Sequence, residues 1–568
     1  MPKLQAPLRC AAIGSTLLAL TLPTPLAART MAPPPDSARR ATVTDPFAVY
    51  TVPPVNKPWY LVPFIDPTFG SMIERMTGDL SHSTAPVAGA WGLNARHTYS
   101  RQQPWSSDNS MVIIDNWSPG FPTPLILDGT SFAPKLAPCP NSHLWDYRWH
   151  PSTLHSHEMI NVDSAGTELS WFDVTTCTTT RSWALPITVD YGIGSGKGNP
   201  SQDGRFVALN NNSAMFIVDM DPQPPYPPYP SVRMGPVYTF PPCSLTTDAP
   251  NLWTIDNVSI SPSGKYVDVK FGSGNDTTLD ANRIYEVDPA TLALKPHNMA
   301  DNSLRCGSFQ YRPNGWIFPI KHADVGVDPF DNNQDVLVGG RSCPGSTVGQ
   351  VVKVRLSDGA VTPLTDGNNE SYVFHVSMRN VDRPGWAYVS WFKQDGTRFS
   401  DEITAIKLDG SQSVERYCHI HSLTTNCYRC EAHPVPSRDG QRILFASNWA
   451  EDCGGGCGLA TDIKDYVVGN FTWPIYGVGD SEPLTIQRVW PNPARDAAEV
   501  DYWLAGPEAA LIELTDLSGR TLERRELGAP GRGSYRTRLQ FPGIRPGTYW
   551  IRVIQAGRAT SSRVVFLR

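Results

Sequence analysis

The sequence predicts an all-β protein: a seven-bladed β-propeller over about 46–480, followed by a small Ig-like β-sandwich over 484–568. Three observations predict it. Helical periodicity is nearly absent between 46 and 480. A polar turn followed by a short apolar strand recurs there at a spacing of roughly 45–70 residues, the pattern of a blade repeat. After Pro483 the composition changes: 484–568 has no Lys and no Cys, and carries 13 Arg against 8 acidic residues.

The repeating turns can be read directly. Ser107-Asp108-Asn109 precedes MVIID, Gln202-Asp203-Gly204 precedes RFVAL, and Pro262-Ser263-Gly264 precedes KYVDVKF. Asp331-Asn332-Asn333, Arg383-Pro384-Gly385 and Arg438-Asp439-Gly440 continue the series, and WHPSTLHSHEMINV at 149–162 fills the remaining gap. One four-stranded blade cannot bury its apolar faces alone, whereas a ring of blades can. The strand near Ile65–Met76 is expected to complete the last blade, leaving no free edge. Asp173, Asp219 and Asp288 read as turn formers, the His155/His157 alternation as a surface strand, and the tract 222–230 (PQPPYPPYP) as a rigid extended loop.

In the last segment, short alternating runs such as 499–504 and 548–553 are broken by Ser518-Gly519 and Pro546-Gly547, as in a small antiparallel sandwich. The ordered series Pro491-Asn492-Pro493, DLSGR (516–520), GIRPGTYWIRV (543–553) and RVVFLR (563–568) closely resembles the type A C-terminal sorting domain of the type IX secretion system. That resemblance implies the secretion machinery as a partner and delivery to the outer cell surface or the medium.

The N-terminus agrees with export. Lys3 and Arg9, an apolar stretch around 11–22 and small residues before position 28 form a Sec signal peptide over 1–28, with a Pro-rich disordered leader over 29–45. No other segment is long and apolar enough to be a transmembrane helix. Net charge is −6 and charged residues make up 18%, which argues against nucleic acid as the main partner; a monomer is expected. Ten cysteines remain after the signal peptide, an even number that points to disulfides in an exported chain. Cys418 with Cys427 or Cys430, and Cys453 with Cys457, are the expected local pairs; Cys427-x-x-Cys430 and Cys453-x-x-x-Cys457 also have the look of zinc half-sites.

Several blades place a histidine at or just ahead of the innermost strand: His150, His322, His375 and His433. Corresponding blade positions converge on the central funnel, so these rings are expected to meet. Asp324, Arg379, Arg429 and Glu431 lie beside them, and RHTYSRQQPW (96–105) adds His97 and Tyr99 near the first blade. Two chemistries suit the set. His322, His375, Glu431 and His433 could cage a divalent metal such as Mn²⁺ or Zn²⁺. Alternatively His and Tyr, with His97, Tyr99, His322 and His375 as candidates, act as base and acid while Arg379 neutralises a uronate carboxylate. The pair His419/His421 lies in a Cys-rich stretch and reads as an exposed loop, with a supporting wall of the site as the alternative.

The turn pattern resembles TolB-like propellers. The blade EAHPVPSRDGQRILFASNW (431–449) is similar to the metal-binding blade of oligogalacturonate lyases, and the whole region resembles propeller-type polysaccharide lyases of the oligogalacturonate and ulvan lyase kind. That family is richer in His at this run and carries an upstream Gln; here Tyr428 and Glu431 fall at the corresponding spacing. The resemblance implies β-elimination on an acidic polysaccharide. A non-catalytic surface propeller that binds glycan or protein is the competing expectation.

Overall fold

The structure is a computed structural model. It describes residues 43–567 apart from 118–120, 141–143, 224–230, 241–252, 274–280, 298–315, 318–319, 342–348, 426, 451–460, 470–483, 505–507, 518, 529–532 and 556–557. The signal peptide, most of the leader and of the proline tract, and Cys243, Cys306, Cys343, Cys453 and Cys457 lie outside the described residues.

The chain is all-β, built from successive antiparallel meanders in the manner of a propeller. The strands Asp146–Trp149, Glu158–Val162, Glu168–Asp173 and Thr178–Ala184 form one sheet. Ile320–Asp328, Gln334–Arg341, Val351–Arg355 and Val361–Pro363 form another, and Val373–Ser377, Trp386–Trp391, Glu402–Lys407 and Val414–His419 a third. Between these lie the sheets begun by Phe206–Asn210 and by Trp253–Ile260. Their strands alternate with apolar clusters packed between neighbouring sheets; one such cluster unites Trp91, Trp105, Val112, Leu125, Leu444 and Val467.

The two ends of this region meet. Met72–Arg75 pairs antiparallel with Ile463–Gly469, Met72 facing Gly469 and Arg75 facing Tyr466. Asn94–Arg96 then bridges Ile463–Gly469 in parallel, so the first and last meanders share one nine-stranded sheet. The early strand thus takes a place among the last ones, as the sequence suggests.

Four of the seven turns share one chemical cause. The hydroxyls of Ser106, Ser201, Ser261 and Ser437 each accept a hydrogen bond from the backbone N–H five residues on, at Met111, Phe206, Tyr266 and Arg442, over 2.9–3.1 Å. The intervening Asn109, Gly204, Gly264 and Gly440 take positive φ. At Gly440 a side chain would also collide with Tyr388, so both the backbone angle and the close approach require glycine.

Asp173 and Asp288 cap their own turns through backbone N–H groups. Asp219 does not. It is buried at a strand end between Arg205 and Arg233, which hold it at 2.8 and 2.9 Å, so it is an ion-pair centre. The expected surface strand at His155/His157 is also corrected: Thr153–His155 is a short 3-10 turn, and the strand starts at Glu158. His419 and His421 are fully buried, the former against Phe69 and the latter against Trp449, so the exposed-loop expectation fails. Large aromatic neighbours outweigh the polarity of the imidazoles there.

Cys139 pairs with Cys177, and Cys427 with Cys430. Cys418 is a buried free thiol within the apolar cluster of Ile403, Tyr417 and Ile420, which overturns its expected bond to Cys427 or Cys430. With both sulfurs in a disulfide, the 427/430 zinc half-site has no free thiolate. The last three leader residues, 43–45, are not loose either: Val43 accepts the N–H of Arg416, whose guanidinium bonds the carbonyls of Asp45 and Ala48 at 3.0 and 2.8 Å.

Residues 484–567 form two antiparallel sheets. One contains Thr485–Trp490, Ala497–Leu504 and Gly533–Gln540; the other Ala510–Thr515, Thr521–Gly528, Gly547–Gln555 and Arg558–Phe566. Ala497–Leu504 alternates half-buried and buried residues, and Val500, Tyr502, Ile512, Leu514, Ile551 and Val553 share a single core. No helix among the described residues is long and apolar enough to cross a membrane.

Candidate functional site

Four chain segments bring one group of side chains together. Two of them are interrupted where the site lies. The ladder between Ile320–Asp328 and its neighbour shifts register between Lys321 and Asp324, and that of Val373–Ser377 shifts between Val373 and His375. Such bulges turn a side chain out of the regular alternation. His322 and His433 take φ of 50° and 44°, left-handed values that residues with a side chain seldom adopt. The third segment is the turn Tyr428–Cys430, tied by the Cys427–Cys430 disulfide and by Ser422 Oγ donating to the Cys430 carbonyl at 2.6 Å; it delivers Glu431 and His433. The fourth is the loop after Asn94–Arg96, which delivers Tyr99.

At the centre, Glu431 Oε2 lies 2.7 Å from His375 Nε2 and 3.4 Å from His433 Nε2. The rings of His375 and His433 are 4.0 Å apart, and those of His322 and His375 4.6 Å. Tyr99 packs edge-on against both, 5.2 Å from His375 and 4.8 Å from His433. Tyr428, more than half exposed, touches His433 at 5.3 Å. The expected convergence of imidazoles from separate sheets is therefore present.

Arg96 underpins the group. Its guanidinium donates to His433 Nδ1 at 2.8 Å, to the Glu431 carbonyl at 3.0 Å, to the His97 carbonyl at 2.8 Å, and to the Arg429 carbonyl. Lys197 stands 5.5 Å from the Tyr99 ring and pairs with Asp256 at 2.6 Å, while Lys270 takes the same Asp256 at 3.2 Å. The two ammonium groups share one carboxylate. Lys197 is carried by the glycine-rich loop 192–198, where Gly194 has positive φ and any β-carbon would collide with the Val258 carbonyl.

Burial holds the His322, His375 and His433 imidazoles well below the usual histidine range, and neighbouring cations add to the effect. Burial also pushes the Glu431 carboxyl up to about 7 against the opposing pull of Arg96, and raises the Tyr99 phenol well above its ordinary value. At neutral pH the rings are uncharged, and Glu431 is poised between its two forms.

The cluster meets only part of what a divalent cation needs. His375, Glu431 and His433 each offer a ligand atom, all within 4.8 Å of one another. His322 is not in that group, so one of the four expected ligands stands apart. The donor set does not fit a resident cation, because Arg96 occupies the nitrogen of His433 through which a ligating ring normally donates outward.

Two other sequence candidates have different work. His97 has both nitrogens engaged, Nδ1 with Asp465 at 2.8 Å and Nε2 with the His433 carbonyl at 2.6 Å, so it holds His433 in place and has no free nitrogen for acid–base duty. Arg379 is bound to Asp324 at 3.0 and 3.1 Å, at the other end of the inner strand from His375. There it lines a cavity of about 420 Å³ with Gln103, Arg148, Asn380 and Arg438. It therefore cannot neutralise a carboxylate at the imidazoles. His150 also lines that cavity, packed on Trp171 at 4.4 Å. The 97–103 loop spans the two regions, Tyr99 at one end and Gln103 at the other.

Arg96 and Lys197 escaped the sequence reading. Arg96 directly precedes His97 in the run already singled out. Lys197 had a weaker signal, a lone cation in Gly192-Ile193-Gly194-Ser195-Gly196-Lys197-Gly198.

Residues 488–566 match the family model described as a secretion system C-terminal sorting domain. The chain therefore ends in a type IX sorting domain. That domain marks the protein for export by type IX secretion, to the cell surface or beyond it. No curated protein sequence matches the chain. Among solved structures, the chain is similar to hydrazine synthase of Kuenenia stuttgartiensis (13% identity, 64% of this chain and 93% of that chain covered, TM-score 0.36). It is also similar to PorZ, a surface component of the type IX secretion system of Porphyromonas gingivalis (12%, 92% and 61%, 0.30), and to the Cps50 propeller domain of Myceliophteria thermophila (10%, 67% and 99%, 0.36).

Proposed function

We propose that this chain is an exported seven-bladed propeller that cleaves an acidic polysaccharide by β-elimination, carried to the surface by an Ig-like sorting domain. Counting the nine-stranded sheet as two blades joined at the Asn94–Ile463 bridge gives the seven.

The observation that carries the reading is the placement of Glu431 Oε2 between the Nε2 atoms of His375 and His433, with the Tyr99 ring against both imidazoles. Removing the α-proton of a uronate needs a base, a proton for the departing oxygen, and a cation near the carboxylate. The His375–Glu431 pair and Tyr99 supply groups for proton movement. Lys197, beside the Tyr99 ring, takes the part expected of Arg379.

Incubating the purified protein with pectate, ulvan and glycosaminoglycans, and following the ultraviolet absorbance of unsaturated product, tests the reading. An increase that disappears in His375→Ala supports it. No increase on any acidic glycan sinks it.

A glycan-binding propeller without catalysis is the second reading. It is favoured by the near-complete burial of His375 and His433, 0% and 1% exposed, beneath Tyr99. It predicts retention of an acidic glycan without new absorbance.

A further inference from the structure

We infer that Arg96 makes the His375–Glu431–His433 cluster a proton-holding site that rejects divalent cations, although its three side chains have the types and spacing of a metal site.

The argument turns on which nitrogen of His433 carries hydrogen. A guanidinium only donates. Arg96 Nη2 lies 2.8 Å from His433 Nδ1, so that nitrogen presents its lone pair, and the hydrogen of the neutral ring sits on Nε2. Nε2 is the atom that faces Glu431 Oε2, at 3.4 Å. A ligating histidine has the opposite polarity: a lone pair toward the metal, and an N–H on the far side given to a carboxylate or carbonyl. The one carbonyl near His433 Nδ1, that of Thr98, is more distant at 3.3 Å.

Arg96 is held where it is. It is fully buried, and its other hydrogen bonds go to the carbonyls of His97, Arg429 and Glu431, which fix the guanidinium plane. His433 is fixed as well, since His97, oriented by Asp465, contacts its carbonyl at 2.6 Å. Neither side chain can turn to offer the other polarity without breaking these contacts. Arg96 also sets a full positive charge against the ring that a cation would have to share. What the cluster can hold is a proton, between His375 Nε2 and Glu431 Oε2 at 2.7 Å.

The test uses the full-length protein, dialysed and then titrated with Zn²⁺ and with Mn²⁺ by calorimetry, with metal content measured alongside. The wild type is expected to bind neither ion stoichiometrically. Arg96→Met, which removes the donor at similar volume, is expected to bind Zn²⁺ at least about tenfold more tightly, a gain lost again on adding His433→Ala. Arg96→Leu gives a second variant should the first fold poorly, since it too removes both the donor and the charge. Nitrogen-15 spectra of the wild-type histidines give a readout that needs no variant: His433 is expected to carry its hydrogen on Nε2.

One metal ion per wild-type chain, removed by His433→Ala or Glu431→Gln, would overturn the inference. So would hydrogen on Nδ1 of His433, or a folded Arg96 variant with unchanged affinity. None of these outcomes depends on whether a polysaccharide is cleaved, so the activity assay and this one fail separately.

Discussion

Nε2 of His375 stands 2.7 Å from Oε2 of Glu431, although 56 positions separate the strand residue from the turn residue. Glu431→Gln keeps the shape of the side chain and removes its capacity to exchange a proton. If the pair moves a proton during elimination, the variant should form unsaturated product about 10²–10⁴-fold more slowly. Its melting temperature should stay close to that of the parent. An unchanged rate would remove Glu431 from the chemistry.

Arg416 and Glu402 form a buried ion pair, with Nε 2.7 Å from Oε2 and neither side chain exposed. Removing one partner strands the other in an apolar setting. Glu402→Gln and Arg416→Met should each lower stability by about 3–5 kcal/mol. Urea unfolding of the two single variants and the double variant measures this, and the double should lose less than the sum.

His150 gives a pH dependence with a definite sign. Burial pushes it down to about 3 from its ordinary 6.5, with His155 and Arg181 adding to the shift and Glu158 opposing it. The folded state refuses a proton that the unfolded chain accepts. The associated stability is therefore complete above pH 6.5 and is lost as pH falls from there toward 3, by up to about 1.4 kcal/mol per pH unit. Melting temperatures between pH 7.5 and 5 should fall less steeply in His150→Asn than in the wild type.

The Cys139–Cys177 disulfide closes a separation of 38 residues. Replacing both cysteines by Ser should cost about 3–4 kcal/mol, mainly by freeing the unfolded chain. Thermal unfolding of the double variant checks the value, and a loss below 1 kcal/mol would point to a purely local role.

Passage across the outer membrane should depend on residues 484–568. A chain ending at 483 should fold its propeller and remain inside the outer membrane, as cell fractionation and surface proteolysis would show. Its appearance in the medium would contradict the role of the sorting domain.

Much of the architecture was legible because it is written in short-range chemistry. The Ser hydroxyl that receives the N–H five residues later, with Gly or Asn between, recurs in the order of the sheets. The convergence of His322, His375 and His433 followed from their place at strand starts. What failed did so for long-range reasons. Arg379 has the charge that a uronate site needs, yet Asp324 from the preceding sheet captures it. His97 sits beside Tyr99 in sequence, yet Asp465, 368 positions away, turns it into a support. Cys418 faces a core that no local spacing announces. Arg96 matters through a contact to His433 that spans 337 positions.

The pairing of Met72–Arg75 with Ile463–Gly469 has a consequence for biogenesis. Residues near the start of the mature chain find their neighbours only after almost four hundred more have been made, so the closed state is out of reach of a nascent or partly translocated polypeptide. Slow, late closure of this kind follows from contacts so distant along the chain. It suits a passenger that must stay pliable through an inner-membrane channel and become rigid only once delivered whole.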